Sequence, residues 1–400
     1  MNRQLIFAIA TVLLLLLATT AVILYGRGYR PFFDGGKINF AGTGLLVVTS
    51  RPDGAGVYID GNLTTATDNT INLSPGEYTV RIFKDGYFPW EKKLKVQKEV
   101  VTKADALLFP SAPKLESITN IGVRNPVLDP SQTKIAYAVA SQSARRNGIY
   151  ILDLSTRPIL TLQSSSTQIA DDTLDLFSQS SFVWSPDGNE LIATISASLA
   201  SYRLDASRLN QFPSNITATL ANVSLTFEGE RQEKENARLN ALPTKLRDVV
   251  KDNFSILEWS LDDSKILYSA SKSAELPIVI SPRLIGSDTI PEQRTIEGDL
   301  IYVYDIKEDK NFKIKELSQK DLSPDALGSL HWFPDSKHLI YVHDNKVDIL
   351  EYDGSNLTTI YAGPFEDGFV FPWPDGSKIV VLTNLGNSDI FPNLYTIELK

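Results

Sequence analysis

The chain of 400 residues has no cysteine, a single methionine and three histidines. Thiol catalysis, disulfide stapling and zinc sites built on thiolates are therefore excluded. The histidines, His331, His338 and His343, crowd into one short stretch, so a metal centre of dispersed His, Asp and Glu ligands is not expected. Equally absent are a Gly-x-Ser-x-Gly elbow, a His-Glu-x-x-His helix, a Walker loop and a dinucleotide fingerprint. No catalytic, cofactor-binding or metal residue is assigned, and no cofactor is expected. A cysteine-free chain suits a prokaryotic protein working outside the cytoplasm.

What is present is ample apolar material, 42% of residues, and length for two or three domains. The net charge of −9 is unevenly placed. Residues 1–42 are basic, with Arg3, Arg27, Arg30 and Lys37 against Asp34, and residues 43–110 balance eight basic against eight acidic groups. The whole acidic surplus falls in 111–400. A surface of that sign repels phosphate backbones, so nucleic acid is not an expected partner.

Residues 5–24 read LIFAIATVLLLLLATTAVIL without a charge. As a helix rising about 1.5 Å per residue, such a run spans roughly the 30 Å of a bilayer core. It is longer than the apolar core of a secretory signal and leads into Tyr25-Gly26-Arg27 rather than an Ala-x-Ala site. An uncleaved transmembrane anchor over residues 1–26 is expected, with the membrane engaged through 5–24. Tyr25, Tyr29, Phe32 and Phe33 then read as an interfacial aromatic belt, the last three in a juxtamembrane linker over 27–42. The Lys and Arg count beside the span, taken alone, favours a cytoplasmic body; the resemblances below place that body outside the cytoplasm.

Beyond Gly44 the pattern changes to short alternating strands. Residues 45–49 are apolar, Val57-Tyr58-Ile59 leads into Asp60-Gly61, and Ser74-Pro75-Gly76 precedes a strand whose Tyr78, Val80 and Ile82 share a face. Asp85-Gly86 turns the chain again toward Trp90, Leu94 and Val96. Ser50-Arg51-Pro52-Asp53-Gly54-Ala55-Gly56-Val57-Tyr58-Ile59-Asp60-Gly61, then Leu73-Ser74-Pro75-Gly76-Glu77-Tyr78-Thr79-Val80 and Lys84-Asp85-Gly86-Tyr87, resemble a PEGA domain over 43–110, with Asp53 where the family has glutamate. The resemblance implies a β-module of the cell envelope without chemistry of its own. Tyr58, Tyr78, Tyr87 and Trp90 read as core or edge packing rather than a sugar platform.

After the proline-rich junction at 109–113 the sequence repeats. Trp184-Ser-Pro-Asp-Gly-Asn-Glu-Leu191-Ile192, Trp259-Ser-Leu-Asp-Asp-Ser-Lys-Ile266-Leu267 and Trp332-Phe-Pro-Asp-Ser-Lys-His-Leu339-Ile340 are the clearest copies. Leu128-Asp-Pro-Ser-Gln-Thr-Lys-Ile135-Ala136 and Pro372-Trp-Pro-Asp-Gly-Ser-Lys-Ile379-Val380 are weaker ones. Each joins two apolar strands through a tight turn; third strands follow at 149–153, 202–205, 301–305, 347–351 and 394–398, and fourth strands at 159–162, 312–317 and 357–361. Four antiparallel strands per unit make the blade of a β-propeller. The last unit lacks a fourth strand, and a strand-like run at 115–119 precedes the first unit, so the two are expected to pair and close a ring of five blades, with six as the alternative. The repeats resemble the TolB-like propeller repeat, which implies binding and scaffolding.

The fold class is thus all-β: a transmembrane helix, a small PEGA-like domain over 43–110, and a propeller over 111–400. A helical insertion is expected at 228–252, with Leu239, Leu242, Leu246, Val249 and Val250 at helical spacing and Pro243 starting a second short helix. A second insertion at 274–299 reads as an extended hairpin or loop. Turn formation explains the repeated Asp187, Asp262, Asp335 and Asp375; His331 and His343 flank one hairpin and are expected as a neighbouring surface pair. The expected function is non-enzymatic: an envelope protein presenting a propeller to a protein or glycan partner. Alternatives are a propeller-based glycan hydrolase or lyase, which needs converging carboxylates, and a ligand-sensing subunit of an envelope complex.

Overall fold

The computed structural model describes residues 3–26, 29–34, 37–155, 166–286, 288–318, 330–366 and 368–400. The chain divides into two units, Met1–Phe109 with Ile280–Pro291, and Pro110–Val279 with Glu292–Lys400. The division falls inside the proline-rich junction read from the sequence, but twelve residues of the second insertion belong to the first unit.

The first unit opens with helix α1 (Arg3–Gly26). Its described side chains, on 7–23, are all exposed. Among the described residues no helix is long and apolar enough to cross a membrane; the helical backbone itself is continuous over the full 24 residues. The segment read as a linker contains a hairpin of β1 (Tyr29–Asp34) and β2 (Lys37–Gly42), in which Tyr29 lies opposite Gly42.

Seven strands follow: β3 (Gly44–Arg51), β4 (Gly56–Ile59), β5 (Asn62–Ala66), β6 (Asn69–Leu73), β7 (Gly76–Phe83), β8 (Trp90–Val96) and β9 (Val101–Leu107). They form one sheet in the order β6-β3-β9 and another in the order β5-β4-β7-β8. Strict alternation along β8 buries Trp90, Leu94 and Val96, and Trp90 and Leu94 join Leu46, Val48, Val57, Val80 and Ile82 in one core. The aromatic residues Tyr78 and Tyr87 pack against it, which is the packing role expected of them. Among the described residues only β3 and β9 run parallel, a long-range pairing that the local pattern did not reveal.

The second unit contains five four-stranded antiparallel sheets, the layout of a β-propeller. In sequence order the first four occupy Arg124–Leu128 to Ser166–Asp171, Ser180–Trp184 to Ser214–Asn215, Phe254–Trp259 to Lys310–Ser318, and Leu330–Trp332 to Thr358–Ala362. The fifth joins Val370–Pro372, Lys378–Thr383 and Asn393–Glu398 to strand β10 (Leu115–Ser117). β10 pairs with the chain's last strand, Leu115 opposite Ile397 and Ser117 opposite Tyr395. The ring therefore closes by combining both ends of the region. The fourth strand of the first sheet is Ser166–Asp171; residues 159–162, expected in that role, lie outside the described residues.

The repeat turn is the same in all five sheets. The amide of Gln132, Gly188, Asp263, Ser336 or Gly376 donates to the carbonyl three residues back, and each of these residues has a positive φ, from 52° to 70°. Glycine suits that conformation; Gln132, Asp263 and Ser336 adopt it because the flanking strands and the turn bond over-determine it. Side chains reinforce the turn. Ser185 Oγ accepts from Glu190 N–H at 3.0 Å, Ser260 Oγ from Lys265 N–H at 2.9 Å, and in the first sheet Asp129 Oδ1 does so from Lys134 N–H at 2.6 Å.

Neighbouring sheets share cores at three seams: the first with the second around Phe182 and Trp184, the fifth with the first around Tyr137 and Val380, and the third with the fourth around Ile301 and Trp332. The helical insertion occupies the seam between the second and third. It consists of α2 (Leu220–Ala241) and α3 (Thr244–Asn253), with Pro243 as the residue capping α3 rather than its first helical residue. Phe227 of α2 packs on Ile192 of the second sheet and on Ile216 just beyond it, while Leu242, Leu246 and Val250 complete the core of the third. α2 begins eight residues before the expected 228.

The second insertion is a hairpin at its base, Ala274–Glu275 with Thr295–Ile296. Fully buried Asp309 clamps it: Oδ2 accepts from Val279 N–H at 2.8 Å, and Oδ1 accepts from the Tyr304 hydroxyl at 2.6 Å and from Arg294 at 3.1 Å. Burial, followed by the bond to Asp309, pushes the Tyr304 phenol far above its ordinary range.

Candidate binding surface

The repeated aspartates act as turn formers. Asp187 Oδ1 accepts from the Ser185 hydroxyl at 2.6 Å and from Asn189 N–H at 3.1 Å. Asp262 Oδ1 accepts from Ser264 N–H at 3.1 Å, Asp335 Oδ1 from Lys337 N–H at 2.8 Å, and Asp375 Oδ1 from Ser377 N–H at 2.8 Å. The Ser185 hydroxyl holds the Asp187 carboxyl below its usual range. Burial pushes Asp262 and Asp335 up, but the Ser264 hydroxyl on the former and His338 on the latter lead the bonds that outweigh it, leaving both low. Carboxylates held down in this way are poorly matched to proton transfer near neutral pH.

The three histidines each face a carboxylate. His338 Nδ1 lies 2.7 Å from Asp335 Oδ2, His343 Nε2 lies 2.9 Å from Asp348 Oδ2, and His331 Nδ1 lies 3.4 Å from Glu258 Oε2. The expected pairing of His331 with His343 does not occur: His331 lies opposite Ile340, which places His343 three residues farther along the next strand. Strand register, not hairpin membership, decides which side chains meet. Among the described residues no group of three or more His, Cys, Asp or Glu could hold a metal ion.

Glu258 is where three sheets meet. Its Oε1 accepts from Gln132 Nε2 of the first sheet at 3.3 Å, and its Oε2 accepts from the Trp332 amide of the fourth at 3.0 Å. Around it the end of the second unit that carries the repeat turns is stapled. Trp184 Nε1 donates to Val127 O at 3.1 Å and Trp332 Nε1 to Glu258 O at 3.3 Å, each tying a sheet to the one before. Lys134 Nζ donates to Gly188 O at 3.1 Å, and Asp262 N–H donates to Ser336 Oγ at 3.2 Å.

At the seam between the second and third sheets α2 supplies the bonds. Arg231 donates to Trp184 O at 3.2 Å, Glu235 accepts the Trp259 indole N–H at 2.9 Å, and Arg238 pairs with Asp263 at 2.8 Å. Residues 231, 235 and 238 lie on one helix face. They stand where the tryptophan-to-neighbouring-sheet bond stands at the first–second and third–fourth seams.

The opposite end is built differently. It carries the connections between second and third strands, which run long in the first sheet (140–147), the third (271–299) and the fifth (384–392). Leu174, Leu176, Leu199, Leu385, Ile390 and Phe391 all stand exposed there, with Leu199 at 78%. Leu174 and Leu176 are held beside Leu199 because Asp175 Oδ2 accepts from the Ser198 hydroxyl at 2.8 Å and the Tyr202 hydroxyl at 3.1 Å. The Arg124 guanidinium lies over the Phe391 ring, 5.0 Å from its centroid. The sequence analysis did not single out these residues, which are one or two apolar positions within polar loops.

Residues 43–111 match the PEGA domain family. The matched span contains β3 to β9. None of the curated protein sequences compared matches the chain. Solved structures similar to it include a TolB candidate from Agrobacterium tumefaciens, 13% identical, covering 71% of this chain and 74% of that one at a TM-score of 0.21. TolB from Acinetobacter baumannii is 16% identical, with 81% and 60% covered at a TM-score of 0.22. The β-propeller domain of the Trilobed protease from Pyrococcus furiosus, described as having an open velcro topology, is 14% identical, with 90% and 85% covered at a TM-score of 0.18. The propeller assignment rests on the repeat turns and sheet topology above.

Proposed function

We propose that this chain is a membrane-anchored envelope protein without catalytic activity, whose five-bladed propeller, sealed by the helical insertion at one seam, binds a protein partner. The observation carrying this reading is the loop end of the second unit, which gathers long loops and six exposed apolar side chains, whereas the other end is stapled by hydrogen bonds and exposes Leu209, Phe212, Leu261 and Leu357. Loops on a rigid scaffold are the usual carriers of recognition. Five of the six side chains are aliphatic, which favours a protein partner over a stacked glycan.

The anchor is supported by the twenty uncharged residues at 5–24 and by the exposed apolar side chains of α1. The extracytoplasmic placement draws on the PEGA match. The test is site-specific photocrosslinking in cells, with a photoreactive residue in place of Leu199 or Phe391 and, at the stapled end, Leu261 or Leu357. A discrete adduct from the first pair and none from the second is expected. Adducts from both ends alike, or from neither, would sink the proposal. Protease added to intact cells should digest the body of the chain; full protection would place it in the cytoplasm.

A further inference from the structure

The first unit contains a small apolar patch that its core does not use. On the outward face of the β3–β9 pair, Leu45 lies opposite Val101, and the two are 36% and 42% exposed. Beside them sits residue 286 of the second insertion. Gly286 has φ +76°, and a Cβ there would stand 3.0 Å from Val101 O and 3.6 Å from Val100 Cγ1. The absence of a side chain is what lets the insertion's backbone seat so closely. The two residues before it, Leu284 and Ile285, project as exposed apolar side chains, with Ile285 at 81%.

This end of the β-domain is also the end at which the chain arrives from α1. β3 starts at Gly44, and Leu45 N–H donates to Val100 O at 3.0 Å. The preceding hairpin adds no distance, because Tyr29 lies opposite Gly42, so its two ends are about 5 Å apart. Covalent geometry then keeps Gly44 within about 25 Å of Gly26, however residues 26–29 and 42–44 run. A body tethered so closely meets a membrane surface at high effective concentration, so a weak apolar contact is enough to orient it.

We infer that Leu284 and Ile285, together with Leu45 and Val101, form a second membrane contact that rests in the lipid interface beside the anchor. The inference depends on the anchor reading above, and its experiment separates the two. The chain has no cysteine, so single-cysteine variants report one site each. In the full chain reconstituted into phosphatidylcholine–phosphatidylglycerol vesicles, an environment-sensitive fluorophore is placed at Ile285→Cys, at Val12→Cys in α1, and at Leu63→Cys, an exposed control on β5.

The expected result is quenching of the residue-12 label by spin-labelled acyl chains. The residue-285 label should emit to the blue of the residue-63 label and be quenched by a headgroup-level spin label. Quenching at 12 with an emission at 285 matching that at 63 overturns the second contact and leaves the anchor standing. Quenching at 285 without quenching at 12 overturns the anchor and keeps the contact. A blue-shifted label at 285 that no lipid-borne quencher reaches shows a protein cover, and overturns lipid as the occupant.

Discussion

Glu235 offers a direct test of whether α2 replaces a direct contact between sheets. Its carboxylate oxygens lie 2.9 and 3.0 Å from Trp259 Nε1, and Trp259 is 8% exposed. Removing the carboxylate leaves a buried indole N–H without its partner. A hydrogen bond to a charged group is worth about 1.5–3 kcal/mol, and in a domain of this size each kcal/mol lowers Tm by roughly 2 °C. Glu235→Ala should therefore lower Tm by about 3–6 °C, while Glu235→Gln, which keeps an acceptor, should lose about 1 kcal/mol. Thermal unfolding of the full chain in detergent, followed by tryptophan emission, reads the change. In a Trp259→Phe background Glu235→Ala should add less than about 0.5 kcal/mol, since the donor is gone. An unchanged Tm for Glu235→Ala, or the same loss in both backgrounds, would refute the reasoning.

Four further expectations follow from the packing and the charges. Thr119 Oγ1 accepts from the amide of fully buried Leu394 at 2.9 Å, so Thr119→Val should speed hydrogen exchange at Leu394 about tenfold to a hundredfold, as an unsatisfied donor costs about 1–3 kcal/mol. Glu116→Ala, on an exposed pair with Lys114, should leave Tm unchanged, because solvent screens the pair. The lowered Asp335 carboxyl contributes stability above its ordinary value of 3.8, and that contribution is lost as pH falls through the folded value; below pH 3.8, Asp335→Asn should flatten the fall in Tm seen for the natural chain. Gly376→Ala must adopt φ +65° and also meet the Phe333 ring at 2.9 Å, whereas Gly54 at φ +69° has nothing within 4 Å. Gly54→Ala should cost about 1–2 kcal/mol and Gly376→Ala more, read by the same unfolding assay.

The repeats were legible because their turn is local chemistry: an aspartate and a residue of positive φ shape the loop whatever surrounds it. Closure was legible too, since a strand-like run at 115–119 and a missing fourth strand fit together, and the structure pairs them. The fourth strand Ser166–Asp171 escaped because STQIAD has no sustained apolar alternation. The start of α2 escaped because Leu220–Ala241 opens with LANVSLTF, rich in residues of modest helix propensity. The meeting of Gln132, Glu258 and Trp332 joins residues more than seventy positions apart, and no local window contains it. The same holds for the seat of Gly286 on Val101: a glycine in a loop reads as flexibility until its neighbour is known.

β10 also imposes an order of events on synthesis. Its partner, Asn393–Glu398, lies more than 270 residues later in the chain. Every shorter nascent product leaves the Leu115–Ser117 edge without its native partner and the fifth sheet incomplete, an open ladder of amides and carbonyls of the kind that recruits other strands. A truncation before Asn393 therefore leaves an unclosed ring with an edge open to other strands.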